Sequence, residues 1–157
     1  MRILIDGYNL LMQTPDLCGL ALEEARDELI GRLAHYKRLK GHHITVVFDG
    51  RGSGRLSPSG GRQRGIEVVF TAREDADTWI KRRVSGEGMV VVSSDRGIRD
   101  HVEGLGAVAV TSTEFLRRME AAFLEEFKGE GEADPLEQPS RRLPKKQRRR
   151  LRGLAKL

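Results

Sequence analysis

Hydrophobic residues in this chain occur in two patterns that alternate along its length. The first pattern is a short continuous run, which is typical of a strand buried on both faces of a parallel sheet. Five such runs are present, at residues 3–5, 44–48, 66–70, 89–93 and 107–110. Between them, apolar side chains recur every three or four positions, which indicates amphipathic helices.

The helical patterns follow four of the five runs and carry recognisable ends. Residues 22–38 form the first, and Gly41 is placed to end it. Another follows Thr71, which is a possible N-cap, and a short one spans residues 97–103. Thr111 and Glu114 have the spacing of a capping box for a last helix through residue 127. This alternation predicts a three-layer α/β/α sandwich with a central, mainly parallel five-stranded sheet.

Three segments depart from this pattern. Residues 50–65 contain six glycines, three serines and four arginines with almost nothing apolar, which predicts a mobile loop. Residues 129–140 have the composition of an acidic flexible linker, and residues 141–157 form a basic tail that we expect to be disordered, or helical on binding. The chain is therefore expected to hold one domain, residues 1–128, followed by linker and tail.

Charge is divided unevenly between the domain and the tail. Of the 28 Lys and Arg residues, nine lie in residues 141–157, which contain no acid. Residues 1–140 then hold 19 basic against 23 acidic residues, so an acidic body carries a strongly basic tail. This asymmetry favours a polyanionic partner, RNA or DNA before a membrane surface, over a tail that only aids solubility.

Composition also excludes several classes of protein. A single cysteine, Cys18, rules out an intrachain disulfide framework and a multi-cysteine zinc site, and it fits a reducing compartment. Apolar runs are too short to span a bilayer, and the chain opens with a strand pattern in place of a signal peptide. We therefore expect a cytoplasmic protein without a membrane partner.

Carboxylates follow four of the predicted strands. Asp6, Asp49 and Asp95 come at or just after strand ends, and Glu74 and Asp77 fall in the first turn predicted for the helix after the third strand. Ligands bind at the carboxyl edge of an open parallel sheet, so these acids are expected to converge there. Each acid alone has an ordinary structural reading, as a helix cap, a turn residue or a charge at a helix N-terminus.

A convergent acid cluster repels itself unless cations neutralise it. Hard divalent cations with oxygen ligands, Mg²⁺ or Mn²⁺, suit such a site. They activate water and stabilise a leaving oxygen in phosphodiester cleavage. The arginines of residues 50–65 and of the tail are candidate RNA contacts: Arg51, Arg55, Arg62, Arg64, Arg141, Arg142, Lys145, Lys146, Arg148, Arg149 and Arg150.

Four segments carry a resemblance to a known family. They are Asp6 to Leu10 after an apolar run, Asp49 with Gly50, Glu74 to Asp77, and Ser93 to Asp95. In this order they resemble the YacP-like branch of the NYN family, within the PIN-like nuclease group, and the likeness runs from residue 1 to about residue 127. It fades in the tail.

The resemblance implies a metal-dependent endoribonuclease that acts on RNA, including messenger RNA engaged with the ribosome. By this likeness Asp6, Asp77 and Asp95 would bind the metal, and Asn9 would orient the metal or the scissile phosphate. Asp49 and Glu74 would be supporting acids, and Ser93 or Ser94 would hydrogen-bond within the cluster.

Two other functions stay open on the sequence. One is a non-catalytic RNA- or ribosome-binding module that depends on the basic tail. The other is a structure-specific DNA nuclease, because the same metal site serves either sugar. The RNA target and the oligomeric state are left undetermined.

Overall fold

The computed structural model describes residues 1–51, 59–129 and 145–157, the last segment with side chains from residue 150 onward. The described strands are β1 (Arg2–Asp6), β2 (His43–Phe48), β3 (Ser59–Gln63), β4 (Ile66–Phe70), β5 (Met89–Val92) and β6 (Val108–Val110). The described helices are α1 (Gly7–Met12), α2 (Leu22–Lys40), α3 (Ala76–Arg83), α4 (Arg96–Gly104), α5 (Ser112–Phe127) and α6 (Lys145–Ala155).

The strands form one sheet in the order β3-β4-β2-β1-β5-β6. Every pairing is parallel except the one between β3 and β4. The predicted α/β sandwich with a mainly parallel sheet is thus confirmed, but the described sheet has six strands instead of five. The strand order reverses beside β1, which lies between β2 and β5, and such a switch point is where α/β sheets bind ligands.

The additional strand, β3, falls within the segment predicted to be a mobile loop. It pairs with β4 through a two-residue turn, Arg64 and Gly65, and both turn residues have positive φ angles. Two left-handed residues are what a tight hairpin turn requires, and they set the register of Gln63 opposite Ile66. Backbone pairing alone forms this edge strand, since its side chains are largely exposed and apolar periodicity could not reveal it.

Two hydrophobic layers cover the sheet, and the strands alternate between them. Ile3 and Ile5 of β1 face the layer that contains α1, α2 and α5, whereas Leu4 faces the layer of α3 and α4. This division places the helices on both faces, as the continuous apolar runs predicted. None of the helices in the described part of the chain is long and apolar enough to cross a membrane.

Helix α1 begins directly at the end of β1, and Gly7 permits this close approach. A Cβ atom at Gly7 would lie 2.5 Å from the ring of Phe48 on the neighbouring strand. Any larger residue would displace Phe48, which is fully buried. The glycine therefore lets the helix turn immediately over the sheet and leaves Asp6 at the helix N-cap position.

Helix α6 lies in the basic tail and packs on the domain. Leu154 and Leu157 are buried in the same hydrophobic cluster as α2 and α5, and Gly153 lies against Val108 of β6. The Tyr36 hydroxyl donates to the backbone oxygen of Leu157, and Arg118 donates to that of Leu154 at 2.8 Å. The end of the tail is therefore part of the folded core, while residues 130–144 lie outside the described structure.

Candidate active site

The centre of the candidate site is Asp6, at the carboxyl end of the central strand. Burial, and to a smaller extent the negative charges of Asp95 and Asp77, raise the pKa of this carboxyl from 3.8 to about 6. The backbone N–H of Asn9 and the hydroxyl of Ser93 oppose the rise. The charges that act on Asp6 of β1 therefore come from two other segments, from Asp95 after the end of β5 and from Asp77 on α3.

Ser93 connects the acids at the end of the two neighbouring strands. Its hydroxyl donates to Asp6 Oδ2 at 3.4 Å and accepts from the backbone N–H of Asp95 at 3.1 Å. The residue is completely buried. Its contacts fix the chain where β5 turns into α4, so that Asp95 follows at the edge of the sheet.

Asp95 is also the N-cap of α4, because its Oδ1 accepts the backbone N–H of Ile98 at 2.9 Å. Asp95 can therefore serve both as a helix cap and as a candidate metal ligand. One carboxylate oxygen supports the helix, and a carboxylate has further lone pairs that can accept other donors or cations.

A second group of hydrogen bonds centres on Asn9 of α1. Its Oδ1 accepts from the backbone N–H of Ser94 at 2.8 Å and from the hydroxyl of Ser112 at 2.7 Å. Ser94 Oγ in turn accepts from the backbone N–H of Ser112 at 3.2 Å. Asn9 thus ties α1 to the ends of β5 and β6, and its amide oxygen is already engaged.

Ser112 is a site residue that the sequence analysis missed. It is completely buried and opens α5 immediately after the N-cap Thr111. The sequence feature that could have identified Ser112 is its position after the last strand of the sheet, at the same edge as Asp6 and Ser93. Serine at a helix start is so common that this position alone did not single it out.

Asp77 lies in the first turn of α3, whose N-cap is Asp75 and not Thr71 as expected. Its Oδ1 lies 2.9 Å from the ammonium nitrogen of Lys81, one helical turn further on. Glu74 precedes this helix, so the prediction that it lies in the first helical turn with Asp77 was wrong. It pairs instead with Arg82.

Asp49 is separated from the group around Asp6 by an ion pair of its own. The Arg51 side chain donates to Asp49 Oδ1 and Oδ2 and also approaches Asp75 Oδ2 at 3.7 Å. Thr78 also binds Asp75, and its side-chain hydroxyl, followed by its backbone N–H, lowers the pKa of the Asp75 carboxyl. Asp49 and Asp75 therefore face an arginine, whereas the hydrogen-bond donors to Asp6 are the uncharged groups of Asn9 and Ser93.

The arginines expected to bind RNA do not form one patch in the described residues. Arg51 neutralises acids, Arg62 lies on the exposed edge strand opposite Glu67, and the Arg64 guanidinium lies against Gly31 of α2. Arg150 of α6 pairs with Glu114 at 3.1 Å. Arg55, Arg141 and Arg142 lie outside the described residues, as do the side chains of Lys145, Lys146, Arg148 and Arg149.

The donor chemistry of Asp6, Asp77 and Asp95 fits a hard divalent cation. Among the described residues, no group of three or more His, Cys, Asp or Glu side chains is gathered closely enough to hold a metal ion in this arrangement. Burial is the main cause of the raised pKa of Asp6, and the charges of Asp95 and Asp77 add a smaller rise that a nearby cation would offset. The three acids therefore fit a divalent metal by the type and charge of their ligand atoms.

Comparisons with known proteins agree with the fold and extend to the tail. The chain is 32% identical over 127 residues to the uncharacterised protein YacP of Bacillus subtilis (strain 168), an alignment that covers 75% of this chain and 74% of that protein. Two crystal structures of Rae1 (YacP) from Bacillus subtilis, one of them a point mutant, have TM-scores of 0.65 and 0.64 at 29% identity. The matches cover 82% and 81% of this chain and 78% and 79% of those chains.

A family model for the YacP-like NYN domain matches residues 3–156, which includes the basic tail as well as the domain. The likeness therefore continues beyond residue 127, where the sequence motifs end. With the sandwich fold and the acids at its switch point, this match shows that the chain belongs to the YacP-like NYN domain family, within the PIN-like nuclease group.

Proposed function

We propose that this protein is a divalent-metal-dependent endoribonuclease that hydrolyses RNA phosphodiesters, with messenger RNA engaged on the ribosome as its substrate. The observation that carries this proposal is the hydrogen-bonded connection from Asp6 through Ser93 to the backbone of Asp95, with the charges of Asp95 and Asp77 both acting on Asp6. Membership of a family in the PIN-like nuclease group supports the same chemistry.

In this proposal Asp6, Asp77 and Asp95 hold Mg²⁺ or Mn²⁺. The metal supplies the Lewis acidity that makes water a competent nucleophile at neutral pH and neutralises charge on the phosphate. Ser93 sets the position of Asp6 relative to Asp95 through its two hydrogen bonds. Asn9, Ser94 and Ser112 hold the surrounding backbone, so that the acids meet the substrate in a fixed geometry.

Asp49 and Glu74 have a supporting role, because each is bound to an arginine at the same end of the sheet. Arg51 stands beside two acids and is a candidate to turn toward a phosphate when RNA approaches. Affinity for the RNA backbone comes mainly from the basic tail, which contains nine of the 28 Lys and Arg residues.

The test compares two aspartates that are both helix N-caps. Asparagine caps a helix about as well as aspartate, so neither Asp95→Asn nor Asp75→Asn removes a cap. We expect Asp95→Asn to reduce cleavage of an end-labelled single-stranded RNA by more than about a hundredfold, because loss of a metal ligand exceeds the effect of losing an outer contact. Asp77→Asn should behave in the same way, and Asp75→Asn should cleave like the wild type.

Metal and substrate are varied in the same assay. Wild-type cleavage should need Mn²⁺ or Mg²⁺ and disappear in EDTA, and a DNA oligonucleotide of matching sequence should stay intact. Preferential cleavage of the DNA would favour the structure-specific DNA nuclease instead.

The binding module is a second candidate, and the basic tail favours it. If the wild type cleaves neither free RNA nor messenger RNA on translating ribosomes, the proposed activity is wrong. Binding to ribosomes that is lost on deletion of residues 141–157, but kept in Asp95→Asn, would then identify the protein as an RNA- or ribosome-binding module.

A further inference from the structure

Lys81 brings a positive charge next to the acidic residues of the candidate site. It lies on α3 one turn after Asp77, and its ammonium nitrogen is 2.9 Å from Asp77 Oδ1. About a third of its side chain is exposed, as is a similar fraction of Asp77. The pair therefore lies at the rim of the site and not in the core.

The ammonium of Lys81 and the carboxylate of Asp95 both border the space that Gly97 leaves open. The point where a Cβ atom of Gly97 would stand is 3.7 Å from Lys81 Nζ and 3.2 Å from Asp95 Oδ1. The missing side chain of Gly97 leaves room for both groups between α3 and α4. In agreement, the hydrogen bond to Asp77, followed by the charges of Asp77 and Asp95, raises the pKa of Lys81.

We propose that Lys81 is the internal counter-ion of this site: its ammonium occupies a cation position beside Asp77 and Asp95 and gives up that position when a divalent metal binds. This inference rests on the proposed function, because it takes Asp77 and Asp95 as metal ligands. Two cations cannot share the same carboxylate oxygen at short range without repelling each other. Metal binding therefore requires Lys81 to withdraw, and the positive charge that Lys81 keeps nearby lowers the affinity of the site for the metal.

This role also accounts for the arrangement of the acids. With Asp77 held by Lys81, the three carboxylates are not gathered into a group that could hold a metal. Exchange of the ammonium for a metal would free Asp77 to turn toward Asp6 and Asp95. The displaced lysine would then stand at the rim, where an anionic phosphate approaches.

The test measures Mn²⁺ binding to the full chain without RNA, by electron paramagnetic resonance of the free ion. Lys81→Met removes the competing charge and should tighten Mn²⁺ binding about tenfold, the size of one unit charge acting on a divalent ion through a water-like dielectric. Lys81→Gln also removes the charge but can still donate a hydrogen bond to Asp77, so it should tighten binding even if the methionine variant folds poorly.

Two controls separate a local effect from net charge. Lys81→Arg keeps the positive charge and should bind Mn²⁺ like the wild type. Lys40→Met removes one charge at the end of α2. This end lies at the amino ends of the parallel strands, away from the acids, so the variant should also leave Mn²⁺ affinity unchanged.

Each outcome bears on a different claim. If the wild type binds Mn²⁺ and the two neutral variants bind it equally or more weakly, Lys81 is only a helix-surface ion pair and the inference is wrong. If the wild type and both neutral variants fail to bind Mn²⁺, the metal site itself is wrong, and the proposed function fails with it. Tighter binding confined to Lys81→Met and Lys81→Gln would support the exchange.

Discussion

The partly buried carboxylate of Asp6 makes a pH-dependent contribution to the stability of this protein. Because burial and neighbouring acids raise its pKa from 3.8 to about 6, the folded state binds a proton that the unfolded state releases between these values. The contribution of Asp6 to stability should therefore fall as pH rises from about 4 to about 6, by up to about 3 kcal/mol, and stay low above that range.

Asp6→Asn removes this dependence. In EDTA, which keeps divalent ions away from the carboxylates, the variant should be more stable than the wild type above pH 6, and the difference should vanish near pH 4. Urea denaturation across this range measures both. The control Asp100→Asn, at an exposed position, should change stability by less than about 0.5 kcal/mol at any pH. Parallel pH profiles for Asp6→Asn and the wild type would contradict the prediction.

Individual residues differ in how far the sequence could identify them. The positions of Asp6 and Asp95 could be predicted, because the sheet itself places a carboxylate that follows a buried strand. Asp49 and Glu74 looked equivalent in sequence, but their ion pairs with Arg51 and Arg82 depend on which long side chains reach them. Sequence spacing does not determine such choices, and it could not single out Ser112 either.

At the scale of elements, the parallel strands and long helices followed from hydrophobic periodicity. The features that periodicity cannot detect were missed. Strand β3 has no apolar pattern and forms through its backbone, and α1 is too short for a helical period to be visible. The first turn of α3 was placed too early because several acids and a threonine compete for the cap, and Asp75 occupies it.

Helix α6 should contribute to the stability of the domain through its leucines. Leu154 is 6% exposed and packs into the main core, whereas Leu151, one turn earlier, is 50% exposed. Leu154→Ala is expected to lower the free energy of unfolding by about 2–4 kcal/mol, and Leu151→Ala by less than about 0.5 kcal/mol. Denaturant unfolding of the full chain compares the two. Equal, small effects would mean that the helix does not dock in solution.

At the scale of the whole molecule, docking of α6 changes what the basic tail can do. A free tail would bind polyanions without regard to the active site. The contacts of Arg150 with Glu114, and of Arg118 with the Leu154 oxygen, hold α6 beside α5, whose first residue Ser112 belongs to the site. Arg150 therefore lies beside the first turn of α5, near the edge of the sheet where the acids lie, which suits a strand of RNA that passes from one to the other.

This arrangement predicts how RNA binding responds to salt, since each phosphate neutralised by a cationic side chain releases counterions. Replacing both Arg148 and Arg149 with Gln should reduce the slope of log K against log salt by about 1.4, at about 0.7 per contact for a single strand. Binding of a short single-stranded RNA to the Asp95→Asn background, measured by fluorescence anisotropy at several salt concentrations, avoids cleavage during the titration. The matched control replaces Arg38 and Lys40 at the end of α2, which removes the same charge from the opposite edge of the sheet. An equal loss of slope in both variants would mean that only net charge matters, whereas a loss confined to the tail variant would place the RNA backbone along α6.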